Sequence, residues 1–147
     1  MIYGSLLACA GILAVEQPIV TESFLDRLAH AETRSRAGAV GDLGRSRSMF
    51  QMRSGAWADV TKVRKARGLW TAPFADARIP WVARIYARDY LGIKEDQFVA
   101  AKRRPPTERE LVCCWNVGFS KFRKLGFKFE RCPKTTQRLW ARFQQAK

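Results

Sequence analysis

Glu32 is the side chain in this sequence whose position best suits acid–base chemistry. Phe24, Leu25 and Leu28 recur before it at helical spacing, and the next step of that spacing is Glu32 itself. The pattern predicts a carboxylate on the apolar face of a helix, at its carboxyl end, where burial and the helix dipole both favour the protonated form. Such an acid can give a proton to a leaving oxygen. The alternative is a frayed helix end whose carboxylate lies in water.

Three short blocks of sequence accompany this carboxylate. The first is Glu32-Thr33, the second is the Gly- and Ser-rich stretch 41–52, and the third is the stretch 114–118, which reads Cys-Trp-Asn-Val-Gly. Together the blocks resemble the lysozyme-like lytic transglycosylases, the superfamily that includes goose-type lysozymes. That family's pattern is Glu-Ser, then Gly-x-x-Gln-hydrophobic, then Ala-Tyr-Asn-x-Gly. The resemblance covers about residues 21–145.

The match to this pattern is incomplete in every block. The residues that agree with it are Glu32, Gln51, Asn116 and Gly118. Thr33 stands where the family has Ser, and Cys114-Trp115 stands where it has Ala-Tyr, so the tyrosine hydroxyl is lost. Ser48 replaces a Gly that allows close approach of the substrate, so we expect a narrower cleft floor.

The resemblance implies a peptidoglycan-cleaving enzyme that needs no cofactor and no metal. In this family one glutamate, here Glu32, acts first as acid and then as base at the β-1,4 bond between N-acetylmuramic acid and N-acetylglucosamine. The 6-hydroxyl of the muramic acid attacks the anomeric carbon and leaves a 1,6-anhydro product, and the acetamido group assists. A hydrolytic lysozyme is the alternative, and it requires a second carboxylate to position water. Asp42 is the candidate for that role, although its Gly-rich setting also suits a side chain that caps a turn.

Four further residues are candidates for binding the glycan. Gln51 and Asn116 match amides of the family pattern, although Asn and Gln side chains often satisfy local backbone groups instead. Ser48 belongs to the expected cleft floor. Tyr86 and Tyr90 lie four residues apart on one predicted helix face, and we favour Tyr86 as a phenol near Glu32.

The elements that position these residues are mostly helical. We expect one domain of the α+β class, predominantly helical, with a lysozyme-like fold and a small β-hairpin region at about 38–54. The predicted helices are 21–32 with Thr21 as N-cap, 57–67, 80–91 with Pro80 in the first turn, 107–117 with a Thr107/Glu110 capping box, and a last helix after Pro133.

The N-terminal segment 1–20 is set apart from the domain at 21–147. Its apolar run is too short to span a bilayer and resembles the core of a secretory signal without the usual basic leader, so a buried helix is the alternative. We expect a monomer without a transmembrane anchor, exported to the periplasm or cell exterior, or associated with a virion or with lysis. Cys132 could pair with Cys113 or Cys114 in an oxidising compartment.

The charge balance favours a polyanionic partner. Lys and Arg number 27 and Asp and Glu number 13 in 147 residues, a formal charge of +14. Bacterial wall is polyanionic through its stem-peptide carboxylates and often wall phosphates, so we expect peptidoglycan glycan strands as the partner and no specific nucleic acid. Basic residues interleaved with Phe at 119–129 leave open a single-stranded nucleic-acid-binding protein without enzymatic activity. An inactive wall-binding protein of this fold is also compatible with the sequence.

Overall fold

The computed structural model describes residues 18–146. In this range the helices are α1 (Glu22–Thr33), α2 (Ser54–Ala66), α3 (Pro80–Lys102), α4 (Glu108–Val117), α5 (Phe119–Lys124) and α6 (Lys134–Gln145). The strands are β1 (Val40–Gly41), β2 (Ser46–Arg47) and β3 (Met52–Arg53). The predicted class, a mostly helical α+β chain with a small β region after the first helix, is confirmed. The apolar run that was interpreted as signal-like, together with Cys9, lies outside the described residues.

Helix α1 begins and ends as its sequence predicts. The Thr21 Oγ1 accepts a hydrogen bond from the backbone N–H of Phe24 at 3.1 Å, which satisfies one of the free donors of the first turn. The helix buries Leu25 and Leu28 completely. It stops where Arg34 and Ser35 adopt φ angles of 54° and 62°, a left-handed conformation that cannot continue the helix. The apolar stripe therefore points inwards, and the last turn of α1 carries Glu32.

The β region is a meander of very short strands. Strand β2 lies between β1 and β3 and pairs with both in antiparallel fashion, with Val40 opposite Arg47 and Arg47 opposite Met52. Each strand contributes only two residues. A sheet this small requires support from its surroundings, because two or three short strands alone are marginal in water.

Helix α3 is much longer than its sequence pattern predicts. We expected an end near Leu91, before Gly92, but the helix continues to Lys102. A glycine inside a helix costs roughly 1 kcal/mol, whereas burying an aromatic side chain such as Phe98 contributes about 1.5–3 kcal/mol. Phe98 is fully buried, so packing outweighs the local signal. None of the helices within residues 18–146, α3 included, is both long and apolar enough to cross a membrane.

A second, smaller apolar cluster lies beside the main core. Its buried members are Phe98, Cys113, Cys114, Phe122 and Cys132. The three cysteines are free thiols, and burial raises the pKa of each of them, that of Cys114 to about 12. Cys113 and Cys132 are hydrogen-bonding neighbours. Of the two pairings that the sequence left open, the structure therefore brings Cys132 to Cys113.

Gly92, inside α3, allows a direct test of how much a glycine in this helix costs in stability. A Cβ at Gly92 would meet no atom within 4 Å, so Gly92→Ala should raise the free energy of unfolding by about 0.5–1 kcal/mol. Gly68 has equally open space but a φ of 67°, so Gly68→Ala should instead lower it by roughly 1 kcal/mol. Urea unfolding followed by circular dichroism measures both. Equal effects of the two substitutions would contradict this explanation.

Candidate active site

Glu32 is held in place by a residue from a distant part of the chain. Its side chain is half-buried in the last turn of α1. The indole N–H of Trp115, on α4 and 83 residues away in sequence, donates to Glu32 Oε1 at 2.9 Å. A hydrogen bond to a carboxylate is stronger than one between neutral groups, so this contact fixes the orientation of the carboxyl group. The third sequence block therefore meets the first.

The neighbouring residue connects Glu32 to the second block. Thr33 is buried, and its hydroxyl donates to the backbone oxygen of Met49 at 2.9 Å. The same Oγ1 accepts a hydrogen bond from the backbone N–H of Arg36 at 3.2 Å. The hydroxyl at this position thus joins the end of α1 to the turn between β2 and β3. The next residue of that turn, Phe50, packs against Trp115 with ring centroids 6.3 Å apart. The three blocks converge at Glu32.

The side-chain amide of Gln51 forms hydrogen bonds with the segments that make up the sheet. Its Nε2 donates to the backbone oxygens of Ala39 at 3.2 Å and Ser48 at 2.9 Å, and its Oε1 accepts from the Ser46 hydroxyl at 3.1 Å. A Cβ at Gly41 would overlap this amide oxygen, so the sequence needs glycine there. These contacts give Gln51 a structural role, and its predicted binding to glycan stays a prediction.

Ser48 stands where the lysozyme-like pattern has glycine, and its backbone adopts a conformation typical of glycine. Its φ of 77° lies in the left-handed region, and its buried Oγ accepts from the backbone N–H of Phe50 at 3.1 Å. The hydroxyl therefore stabilises the turn by accepting a hydrogen bond from one of its backbone N–H groups. Because the side chain is buried, Ser48 adds no surface to the cleft floor, and narrowing of the cleft by this residue is not seen.

Asn116 and Asp42 lie at the edges of the region. Asn116 is exposed on α4, and its Oδ1 accepts from the Thr136 hydroxyl on α6 at 2.6 Å. Asp42 begins a short 3-10 turn after β1, and the structure describes its backbone but not its side chain. The proposed roles of both residues, substrate binding and water positioning, stay predictions.

Of Tyr86 and Tyr90, the structure places Tyr90 nearer to Glu32, although we expected Tyr86 there from the sequence. Tyr86 is fully buried and stacks on Trp57 with ring centroids 3.7 Å apart. Its hydroxyl accepts from the N–H of Ala72 at 2.8 Å and donates to the Ala72 carbonyl at 3.2 Å. A side chain enclosed in this way can contact a substrate only if the core opens. The expectation that Tyr86 supplies a phenol beside Glu32 is therefore not met.

Tyr90 lies near Glu32 instead, one contact away through Trp115. The two rings meet edge to face with centroids 5.6 Å apart. The Lys94 Nζ lies 4.4 Å from the Tyr90 ring centroid. Burial, with the charge of Asp59 on α2, raises the pKa of Tyr90 to about 12, and burial lowers the pKa of Lys94 although Asp59 opposes this. Sequence reasoning missed Lys94 and Asp59, because only the packing of α2 against α3 brings them together.

An open cavity of about 710 Å³ lies beside Glu32. Glu32 forms part of its wall, and the cavity runs from the end of α1 to the end of α6. Its positively charged lining consists of Arg34, Arg36 and Arg142. Among residues 18–146 no cluster of His, Cys, Asp and Glu has the arrangement to hold a metal ion.

The basic and aromatic stretch 119–129 uses most of its phenylalanines for packing and exposes its lysines. Phe122 is fully buried, and Phe119, Phe127 and Phe129 pack against the second cluster as partly buried residues. The cations Lys121, Lys124 and Lys128 are exposed. Base stacking needs exposed aromatic faces beside the charges. Phe119 and Phe127 line a cavity together with Arg123, so nucleic-acid binding by this segment stays an alternative.

No model of a known protein family matches this chain, and no curated protein is similar enough in sequence to indicate its family.

The hydroxyl of Thr33 provides a test of how the site is assembled. Thr33→Val should lower the free energy of unfolding by about 1–3 kcal/mol, because the part-buried backbone oxygen of Met49 loses this donor and the N–H of Arg36 keeps only a bond of 3.4 Å to the Thr33 carbonyl. Thr33→Ser keeps the hydroxyl and should lose about 1 kcal/mol or less, the value of one methyl group. Urea unfolding with unchanged m-values compares the variants. If Val is tolerated as well as Ser, the hydroxyl does not hold the turn.

Proposed function

We propose that the protein is a lytic transglycosylase that cleaves the β-1,4 bond between N-acetylmuramic acid and N-acetylglucosamine in peptidoglycan, with Glu32 as its acid and base. The observation that carries the proposal is the setting of Glu32. Its carboxyl group is oriented by Trp115, is half-buried, and lines a cavity open to solvent. Residues from all three blocks of the family pattern meet around it, which supports the resemblance as a spatial arrangement rather than a coincidence of short motifs.

In the first step the protonated Glu32 gives its proton to the glycosidic oxygen. The bond between that oxygen and C1 of the muramic acid breaks, and N-acetylglucosamine leaves as an alcohol. The acetamido oxygen of the muramic acid closes on C1 and carries the positive charge that develops there. Trp115 donates to Glu32 Oε1 and so helps to orient the carboxyl group during the proton transfer.

In the second step the Glu32 carboxylate takes the proton of the muramic acid 6-hydroxyl. The 6-oxygen attacks C1, the acetamido oxygen departs, and the 1,6-anhydro ring forms. The proton that Glu32 lost has been replaced, so the enzyme returns to its starting state and no water is consumed. General acid and base catalysis by one residue accounts for both steps.

Hydrolysis is the second candidate, and Asp59 is the observation that favours it. Water must be positioned by a further acceptor for the muramidase reaction. Burial and the charge of the exposed Asp59 raise the pKa of Tyr90, whose ring contacts Trp115, whereas Asp42 lies at the hairpin. Either carboxylate is therefore a candidate for the role, and the products of the reaction distinguish the two mechanisms.

Removing the acid should remove the activity. Glu32→Gln should lower the rate of glycan cleavage by about two to four orders of magnitude while the protein stays folded. Trp115→Phe keeps the ring but loses the donor to Glu32, and it should lower the rate by about ten- to a hundredfold, as expected for a hydrogen bond to a charged group. Turbidity loss of purified sacculi measures both. A folded Glu32→Gln protein with near-normal activity would exclude Glu32 as the acid.

The products should carry anhydro ends. Mass spectrometry of digested peptidoglycan should find muropeptides lighter by one water than hydrolysis products, and Asp42→Asn should keep much of the activity because Asn also caps turns. Asp59→Asn is the matched substitution of the other candidate carboxylate. Reducing ends in place of anhydro ends, with loss of activity in one of these two variants, would identify a hydrolase and its second carboxylate.

A further inference from the structure

The cavity beside Glu32 has a positive wall that the cleavage mechanism does not use. Two helices, α1 and α6, end at this cavity. Arg34 and Arg36 follow α1, and Arg142 lies in the last turn of α6. All three side chains are exposed to solvent. Three guanidinium groups beside one cavity repel each other, and a bound anion would offset this repulsion.

Several arginines in the described part of the chain have carboxylate partners. The pairs are Arg27 with Glu108, Arg64 with Asp89, Arg84 with Glu22 and Asp26, Arg88 with Glu22, and Arg104 with Glu110. Between residues 18 and 146, no such ion pair includes Arg34, Arg36 or Arg142. An external anion can therefore reach these three guanidinium groups, and what sets them apart from other exposed arginines such as Arg138 is that they line one cavity.

Arg36 is already held in position for such an anion. Its Nε donates to the backbone oxygen of Thr33 at 3.1 Å, at the end of the helix that carries Glu32. A guanidinium group has five N–H donors, and this bond uses one of them. A side chain that is fixed before binding loses less conformational entropy when the ligand arrives. The planar group also matches the two oxygens of a carboxylate.

Helix dipoles offer a simpler reason for cations at this place. A basic residue in the last turn of a helix stabilises it by about 0.3–1 kcal/mol, and the effect fades beyond that turn. This reason suits Arg142. It does not require the cavity or the fixed guanidinium of Arg36, which lies beyond the C-cap of α1. The two explanations predict different effects on ligand binding.

We infer that the arginine wall of this cavity binds the carboxylates of the peptide stem carried by the muramic acid, an inference that rests on the proposed function. The stem is attached to the lactyl group of the sugar whose C1 reacts, so an anion-binding wall next to Glu32 lies within reach of it. Holding the stem there places the scissile bond beside the acid. Substrates with intact, anionic stems are then preferred over bare glycan.

Binding to the Glu32→Gln protein tests the inference without cleavage. The probe is the disaccharide of N-acetylglucosamine and N-acetylmuramic acid with a stem tripeptide, measured by isothermal titration calorimetry. Arg36→Gln with Arg142→Gln should weaken binding about tenfold, since each exposed ion pair contributes up to about fivefold. The loss should shrink at high salt. Arg138→Gln, on the exposed surface of α6 outside the cavity lining, is the matched control and should bind as the parent does.

Two further ligands identify the chemical group. The same disaccharide with an amidated stem should bind the parent and the double variant equally weakly. Glycerol phosphate, the anion of many wall polymers, should bind more weakly than the tripeptide probe. Tighter binding of glycerol phosphate would replace the carboxylate by a phosphate as the ligand. Equal weakening by Arg138→Gln would show diffuse attraction and overturn the site.

The outcomes also separate this inference from the proposed function. If the unmodified protein cleaves glycan but the double variant binds the probe as its parent does, the arginine site is wrong and the function stands. A lower melting temperature of the double variant with unchanged binding would assign the arginines to the helix ends. If the probe binds through the arginines but the unmodified protein cleaves nothing, the function is wrong and the site remains.

Discussion

A half-buried carboxyl group at the end of a helix needs hydrogen-bond donors, and here one donor comes from a helix 83 residues further along the chain. The indole of Trp115 can reach Glu32 only when α4 packs correctly beside α1. The Thr33 hydroxyl adds the same requirement for the turn after β2. Three segments that share no local sequence signal are therefore fixed relative to one carboxylate. Errors in the packing of any of them would displace the Glu32 carboxyl group.

The distribution of charge follows from a shortage of acids. With 13 carboxylate side chains for 27 cations, most acids that the structure describes as paired lie between helices, as between α1 and α3. These exposed pairs contribute little stability individually. The cations in excess lie mainly on the surface, and among them are the arginines beside Glu32 and the exposed lysines of 119–129.

Local signals in the sequence predicted local structure well. The caps of α1 and α4 are where Thr21 and the Thr107/Glu110 box place them, because those contacts span three residues. Contacts across the fold were less predictable. Tyr86 and Tyr90 lie on one helix face, and only the position of α2 decides that the first is enclosed while the second meets Trp115. The extra length of α3 likewise depends on the second apolar cluster.

The way Gln51 supports the sheet has a consequence for how this fold can vary. Its amide joins the segments on both sides of the hairpin, so the sheet does not depend on the residues at the tip. Leu43, at that tip, is almost completely exposed. Loop tips without internal contacts tolerate added residues. Chains of this fold can therefore lengthen or exchange this loop while the contacts around Glu32 are preserved.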